Sequence, residues 1–481
     1  SMAPAQTSAN SFGLAPIGVN RLVRLLGNWR RDESSLHAEL SDRLRTLAVT
    51  GAMPSGIRLP SERALGSALG LGRNTVTKAL DTLREEGLLS SRQGDGTYVT
   101  YSRRYALNRS DDRMRTFADE ARSATIDLRS AALPGLPMVA EAFNHLDGAR
   151  ARELVAQHGY IPTGLPELRE AISAYYTALG LPTTTDQVLV TSGAQSAFRL
   201  VASFLLGPQS TVIIEEPSFR GAIETLNALG VRLVGIPSGP EGVAVDDLAK
   251  AVSSLAPRMV LLQSTVHNPT GSVLDSLRRS RVAAIAARSG VVFVDDASLA
   301  DTIIDGDRRP VPLAAGASSI VTLGSMSKSF WGGLRVGWVR AQPEMVAELA
   351  AVKGGEDLGT SVLAQLVSAE LLPSIERARD QRLMMLSEHR RLAIEALGEL
   401  LPDWAPQTPA GGSSLWIRLP QRNATALVQR AERLGVRLMP GSTFSVTDQL
   451  DDHVRLSYAG LPDVTRRGIE LLATAWDELD R

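Results

Sequence analysis

The chain has 481 residues, a hydrophobic fraction of 44% and a net charge of −1. That length exceeds one ordinary domain, and the composition is that of a globular protein with a large core. There is no cysteine, which excludes disulfides, thiolate metal sites and cysteine nucleophiles. No stretch has the uncharged apolar length of a membrane span, and no apolar signal core opens the chain, so a soluble cytoplasmic protein without membrane contact is expected. The near-zero charge hides an asymmetry. Residues 1–104 carry 14 Lys/Arg against 9 Asp/Glu, and the remainder 37 against 43. A basic head on an acidic body suggests that only the head approaches a polyanion. Lysine is scarce, at Lys78, Lys250, Lys328 and Lys353 only, so any chemistry that needs an amine has few candidates.

In chain order, residues 1–18 are rich in Ser, Ala, Pro and Gly and are expected to be disordered. Helical patterns follow in "RLVRLLGNWRR" and "SLHAELSDRLRTLAVTG", the second with a Gly stop. "LPSERALGSALG" offers Ser61 as an N-cap with Glu62 in the first turn. "GRNTVTKALDTLREEG" is a further short helix, and "LLSSRQGDGTYVT" reads as two strands around a Gly-Asp-Gly turn. Together these make a winged helix-turn-helix. In the helix that starts near Arg73, the residues Val76, Ala79, Leu80 and Leu83 share one face, and Arg73, Asn74, Thr77 and Lys78 another. The second face offers donors where a recognition helix meets base edges and phosphates. Arg63 is placed to clamp a phosphate. Gly94 and Gly96 permit a tight wing, and Arg92 and Gln93 are placed to reach a groove or the backbone. A protein-binding three-helix module is the alternative; the basic wing favours double-stranded DNA. The run from "RLPSERALGSALG" to "GDGTYV" resembles the GntR-type winged helix over residues 35–100. That resemblance implies DNA contacts by Arg63, Arg73, Asn74, Thr75, Thr77 and Gly94.

Residues 101–125 are charged, lack apolar periodicity and read as a linker. From about residue 126, short apolar runs alternate with helical patterns: "QVLVTSG", "TVIIEEPS", "RLVGIP", "MVLLQST", "VVFVDDAS", "IVTLGS". Such alternation predicts a largely parallel sheet covered by helices. Beyond about 345 come long helical patterns, then "SLWIRL" and "HVRLSYA", a smaller α+β lobe. The expected organisation is an N-terminal extension, partly disordered (1–30), a DNA-binding domain (31–100), the linker (101–125), a large domain (126–345) and a small lobe (346–481).

The ends of the predicted strands carry the chemistry. Lys328 in "GSMSKSFWGGLRVGW" is an amine able to form a Schiff base with an aldehyde cofactor. Pyridoxal 5'-phosphate (PLP) also needs a phosphate cradle, a partner for its ring nitrogen, a donor to its phenolic oxygen and a stacking surface. "TSGAQSAF" opens a helix, and its backbone N–H groups at Gly193, Ala194 and Gln195, with the Ser192 and Gln195 side chains, suit a phosphate. Ser325, Ser327 and Arg335 complete that cradle. Phe219 offers a stacking ring, the Asn268 amide a donor, and Asp295 a carboxylate for the ring nitrogen. Taken singly, each has a plain structural reading as turn, cap or core; their order along the chain argues against coincidence. No metal site is read.

The constellation resembles the fold type I aminotransferases over roughly residues 126–481, PLP enzymes with a large αβα domain and a smaller α+β lobe. The resemblance implies Lys328 as the Schiff-base lysine, Asp295, Asn268 and Arg335 in the roles above, and Arg455 as the group that binds an α-carboxylate. It also implies a dimer in which Tyr160 reaches the neighbour's phosphate. One departure stands out: Ser298 occupies the place of the family's tyrosine that shares the phenolic oxygen with the asparagine, which puts efficient transamination in doubt. Head and body together resemble the MocR-type regulators. In these a domain-swapped homodimer is expected, the body senses PLP or an amino compound, and the heads change their grip on an operator. An active aminotransferase tethered to DNA, or a PLP-free dimerisation scaffold, are the competing readings.

Overall fold

A computed structural model describes residues 16–30, 35–50, 52–53, 56–92, 96–100, 125–306, 309–447 and 449–479. The chain forms two compact units, one of residues 1–125, 421–436 and 474–481, the other of residues 126–420 and 437–473.

In the first unit, helices α1 (Val19–Leu26), α2 (Leu36–Thr50), α3 (Glu62–Leu69) and α4 (Arg73–Glu85) precede a hairpin of β1 (Leu89–Arg92) and β2 (Gly96–Val99). Ser61 caps α3 as expected: its side chain accepts from the Ala64 N–H at 3.2 Å. Gly70, at φ +63°, ends that helix in the left-handed region. Val76, Ala79, Leu80 and Leu83 of α4 are buried in the unit's core. The hairpin is antiparallel, with Leu89 opposite Val99; the turn that carries Gln93 and Gly94 lies outside the described residues. The pattern "RLVRLLGNWRR" is helical only as far as Leu26, because Gly27 leaves helical geometry at φ +58°. Leu22, Leu25, Leu26 and Trp29 enter the same core as α2 and α4. Residues 16–30, expected to be part of an extension, are thus built into the winged-helix unit. The helix Ala424–Arg433 belongs to this unit too: Gln429 donates to the Leu26 carbonyl at 3.2 Å, and Arg433 to that of Arg30 at 3.2 Å.

The second unit is built on an eight-stranded sheet: β3 (Val188–Thr191), β4 (Thr211–Glu216), β5 (Arg232–Gly239), β6 (Gly242–Val243), β7 (Met259–Leu262), β8 (Val292–Asp296), β9 (Ile320–Ser325) and β10 (Gly337–Arg340). The spatial order is β3-β10-β9-β8-β7-β4-β5-β6. Neighbours from β9 to β5 pair in parallel; β10 and β6 run against their neighbours. The sheet is apolar on both faces, as buried parallel strands require. In β3, Val188 and Val190 enter one core and Leu189 the other. The helices that matter below are α5 (Pro166–Ala178), α6 (Ala194–Leu205), α7 (Arg220–Ala228), α8 (Ser276–Ser289), α9 (Pro343–Asp357) and the 26-residue α10 (Ile375–Leu400). A second sheet of β11 (Ala405–Gln407), β12 (Ser414–Arg418), β13 (Met439–Pro440) and β14 (His453–Ser457), ordered β11-β12-β14-β13, is antiparallel throughout.

Candidate functional site

The site begins where β3 passes into α6. Gly193 precedes the helix at φ +96°, a left-handed conformation that favours glycine. A Cβ there would lie 2.7 Å from Arg335 Nη2. Arg335, itself at φ +53°, donates to the Ser192 carbonyl at 2.9 Å and to that of Gly332 at 3.3 Å. A guanidinium is therefore held against the N-terminus of a 12-residue helix. Both carry positive charge. Two positive groups set side by side fit an anion between them, and a phosphate matches their donors. Ser192 Oγ lies 3.4 Å from Thr360 Oγ1, and Ser325 Oγ accepts from the Ser327 N–H at 3.0 Å. The Gln195 side chain does not join this cradle. Its amide donates to Thr225 Oγ1 at 3.0 Å and to the Gly221 carbonyl at 3.3 Å in α7, so that residue has its backbone N–H to offer, not its side chain.

Asp295, near the end of β8, is 2% exposed. One oxygen accepts from the Ser264 N–H at 2.9 Å and the other from Ser264 Oγ at 2.7 Å. Burial pushes its carboxyl up, while the Arg279 charge and the two Ser264 donors oppose that shift. Arg279 of α8 reaches Ser264 Oγ at 3.1 Å and Thr265 Oγ1 at 3.0 Å. Asp295 is thus a held, desolvated carboxylate, suited to a protonated ring nitrogen. Beside it, Asp296 accepts from the Ser298 N–H at 3.0 Å.

Asn268 is oriented by Arg455, whose Nη1 donates to Asn268 Oδ1 at 3.0 Å. With Oδ1 engaged, the side chain presents its NH2 donors, the polarity that a phenolate oxygen requires. Arg455 comes from the middle of β14, stacks on Phe444 at 4.8 Å and is 6% exposed. Lys328 lies in a π-helical turn, Ser327–Trp331, directly after β9; such turns recur at functional sites. Its Nζ donates to the Ala131 carbonyl at 2.7 Å. Phe219 stands at the start of α7, half-buried against the apolar core on that side of the sheet. Tyr160 is 60% exposed. The structure so brings together the phosphate-loop residues with Arg335, and Asn268 with Arg455, along the ends of neighbouring strands. These residues fit PLP in charge and donor polarity.

Sequence reading missed a buried pair under this surface. Glu215 is 3% exposed and lies 3.6 Å from His267 Nε2. Burial raises the Glu215 carboxyl to about 8 and lowers His267 to about 4, so both are neutral at pH 7. The acid in "EEPS" and the histidine of "HNPTG" gave no signal of their contact, because they are far apart in sequence.

In the winged helix, Arg63, Arg73, Asn74 and Lys78 are exposed on α3 and α4, and Thr75 is half-buried. Thr77 is half-buried, and its hydroxyl donates to Glu62 Oε2 at 2.8 Å, tying α4 to α3. Among the described residues no group of acidic residues or histidines could hold a metal, and no helix is long and apolar enough to cross a membrane.

Comparison with known proteins accords with both units. Residues 125–469 match the family "aminotransferase class I and II", and residues 36–99 match "bacterial regulatory proteins, gntR family". The Rhizobium meliloti protein described as a probable rhizopine catabolism regulatory protein, MocR, is 27% identical over 92% of this chain and 94% of its own length. The uncharacterized HTH-type transcriptional regulator YisV of Bacillus subtilis is 27% identical over 91% of this chain and 96% of its own. Among solved structures, LysN, the α-aminoadipate aminotransferase of Thermus thermophilus, complexed with N-(5'-phosphopyridoxyl)-L-leucine, is 27% identical. It covers 75% of this chain and 94% of its own, at a TM-score of 0.67. Relatives thus include both regulators and aminotransferases, and the aminotransferase family implies use of PLP. The chain belongs to the aminotransferase class I and II family and, with its gntR-type N-terminal domain, is a DNA-binding transcriptional regulator of the MocR type.

Proposed function

We propose that the aminotransferase-like body is a sensor: it takes up PLP on Lys328, reads PLP itself or an amino compound, and changes operator binding by the winged-helix heads of a cytoplasmic, domain-swapped homodimer. When bound, PLP supplies an electron sink for an amino compound joined to it. The chain's own residues do the rest. The α6 N-terminus and Arg335 bind the phosphate, Asp295 keeps the ring-nitrogen proton, Asn268 donates to the phenolic oxygen, and Arg455 binds a carboxylate.

The observation that carries the sensing role is what Lys328 and Arg455 hold in this structure. Lys328 Nζ donates to the Ala131 carbonyl at 2.7 Å, and Arg455 Nη2 to that of Arg129 at 2.5 Å. Ser413 Oγ also donates to Ala131, at 3.0 Å. These carbonyls belong to the segment that directly follows the linker 101–125. Leu128 anchors it, donating to the Arg437 carbonyl and accepting from the Ser457 N–H, each at 2.9 Å. The aldehyde of PLP claims the first of these donors, Lys328, and the carboxylate of an amino acid the second, Arg455. Ligand binding therefore favours an arrangement in which the segment has lost them, the differential interaction that a switch requires.

The regulatory role is favoured over turnover by Ser298, which stands where a tyrosine would share the phenolic oxygen. Asp295, Asn268, Lys328 and Arg455 still permit a residual half-reaction. The test uses DNA duplexes selected from a random pool by the full chain. Their affinity is measured by fluorescence anisotropy with and without PLP and a panel of amino acids and amines. We expect at least one ligand to shift the affinity by roughly 5- to 150-fold, the usual range of coupling. An affinity indifferent to PLP and to every amine would refute the sensor, and steady conversion of an amino acid and an α-keto acid would make it an enzyme.

A further inference from the structure

Arg382 is 1% exposed, in the second turn of α10. Its Nε donates to the carbonyls of Lys328 at 3.0 Å and Ser329 at 3.3 Å, and its Nη2 to that of Phe330 at 2.8 Å. Among the described residues no carboxylate is paired with it, and Nη1 is buried without a hydrogen-bond partner. Burial alone lowers this guanidinium to about 10. Burying a cation without a counter-ion is unfavourable, so a leucine or methionine would serve stability better if packing were all that this position required.

The three carbonyls it gathers explain the choice. In the π-helical turn, the N–H groups of Phe330 and Trp331 both return to the Met326 carbonyl, at 2.9 and 3.2 Å. The turn then gives way to a short 3-10 segment, Gly332–Leu334. A turn so short leaves its later carbonyls without helical donors. Arg382 satisfies three in succession, those of Lys328 and the two residues after it. From the other side, Ser329 Oγ donates to Asp301 Oδ2 at 2.8 Å, and Asp301 is held by Arg309 Nη1 at 2.6 Å. The backbone at Lys328 is fixed by charged groups on both flanks, while its amine remains within reach of the site.

We infer that Arg382 is a positioning residue: by gripping the carbonyls of residues 328–330 from α10, it sets the approach of the Lys328 amine to the aldehyde of PLP. This rests on the PLP reading above. In the step it serves, the Lys328 nitrogen adds to the aldehyde carbon, one water leaves, and a C=N bond replaces C=O. Misplacing a reacting group by about 1 Å can slow such a step roughly a hundredfold.

The experiment mixes the full chain with PLP and follows the visible absorption of the linked cofactor by stopped flow, for wild type, Arg382→Met and Arg382→Lys. Binding of pyridoxamine 5'-phosphate is measured in parallel by calorimetry. That compound has the same phosphate and ring but no aldehyde, so it reports the cradle and the fold without the lysine. The expected result is roughly ten- to hundredfold slower band formation in Arg382→Met, partial recovery in Arg382→Lys, and pyridoxamine 5'-phosphate affinity within about twofold of wild type in both. Wild-type rates in both variants would overturn the assignment. So would parallel loss of pyridoxamine 5'-phosphate binding in both, which makes Arg382 a determinant of the fold alone. A wild type that gives no band at all instead refutes the PLP reading on which the inference rests.

Discussion

Glu215 and Glu216 are neighbours at the end of β4 with different surroundings. Glu216 accepts from the Val446 N–H at 2.8 Å and from Ser445 and Thr447. Glu215 accepts from the Gln263 N–H at 2.7 Å and Ser238 Oγ at 3.0 Å, and faces a histidine that burial keeps neutral. Its folded value of about 8 lies above the ordinary 4.5, so the folded state holds a proton that the unfolded chain has released. Stability from this group is full below about pH 4.5 and is lost as pH rises through 8. His267 has the opposite sign, but only between its folded 4 and ordinary 6.5. The window from pH 6.5 to 8 therefore isolates Glu215, at about 1.4 kcal/mol per pH unit and about 2 kcal/mol in all. Chemical denaturation across that window should show wild type losing stability by this amount relative to Glu215→Gln. Parallel curves for the two proteins would mean that Glu215 is ionised in the folded state. Sequence could not reveal this pair, because a carboxyl's burial depends on three strands that meet only in the folded sheet.

Most elements were legible. The apolar runs expected as strands are β3, β4, β5, β7, β8 and β9, and "SLWIRL" and "HVRLSYA" hold β12 and β14. Strand β10 was missed: it is four residues long, follows a Gly-rich turn, and gains its place only by pairing between β3 and β9. The recognition helix was read correctly in its buried face, since a 3.6-residue period is a local property. The Thr77 hydroxyl's partner was not legible, because Glu62 lies on the preceding helix. That contact bears on DNA binding. Arg73, exposed at the N-terminus of α4, is available to a phosphate or base, whereas Thr77 is tied inward. Arg73→Ala should weaken operator binding by about 1–3 kcal/mol, while Thr77→Ala should act chiefly through the α3–α4 contact and lower thermal stability. Operator affinity and melting temperature measured on both variants check this, and unchanged affinity in Arg73→Ala counts against α4 as the recognition helix.

For the whole molecule, the proposed homodimer is the assembly that would give Tyr160 a role. It is 60% exposed, and Leu358, at the nearby turn, is 52% exposed. The following Gly359 lies so close to Ile161 that a Cβ on it would be 2.9 Å from that carbonyl oxygen. Thr360, next in line, approaches Ser192 of the phosphate loop. If each Tyr160 serves the other chain's phosphate, two defective chains should complement. A mixed dimer of Lys328→Ala with Tyr160→Ala has one site with both groups intact, and should regain about one tightly held PLP per two chains. Each parent alone should show none. Gel filtration with absorption at the cofactor band reads this directly, and absence of recovery in a verified mixed dimer would place Tyr160 outside the site.

The sequence by itself determined the two modules and the parallel sheet, and it offered the residues proposed to hold PLP. Each of these rests on short-range order: helical or strand periodicity, glycine at a turn, a side chain at a strand's end. The tertiary structure alone decided what those side chains touch. It turned the Gln195 side chain away from the phosphate loop and gave Lys328 and Arg455 to the carbonyls of Ala131 and Arg129. It also put residues 16–30 into the winged-helix core and aimed Arg382 at the turn that carries Lys328. These outcomes depend on contacts between residues tens to hundreds of positions apart, which only the closed chain makes.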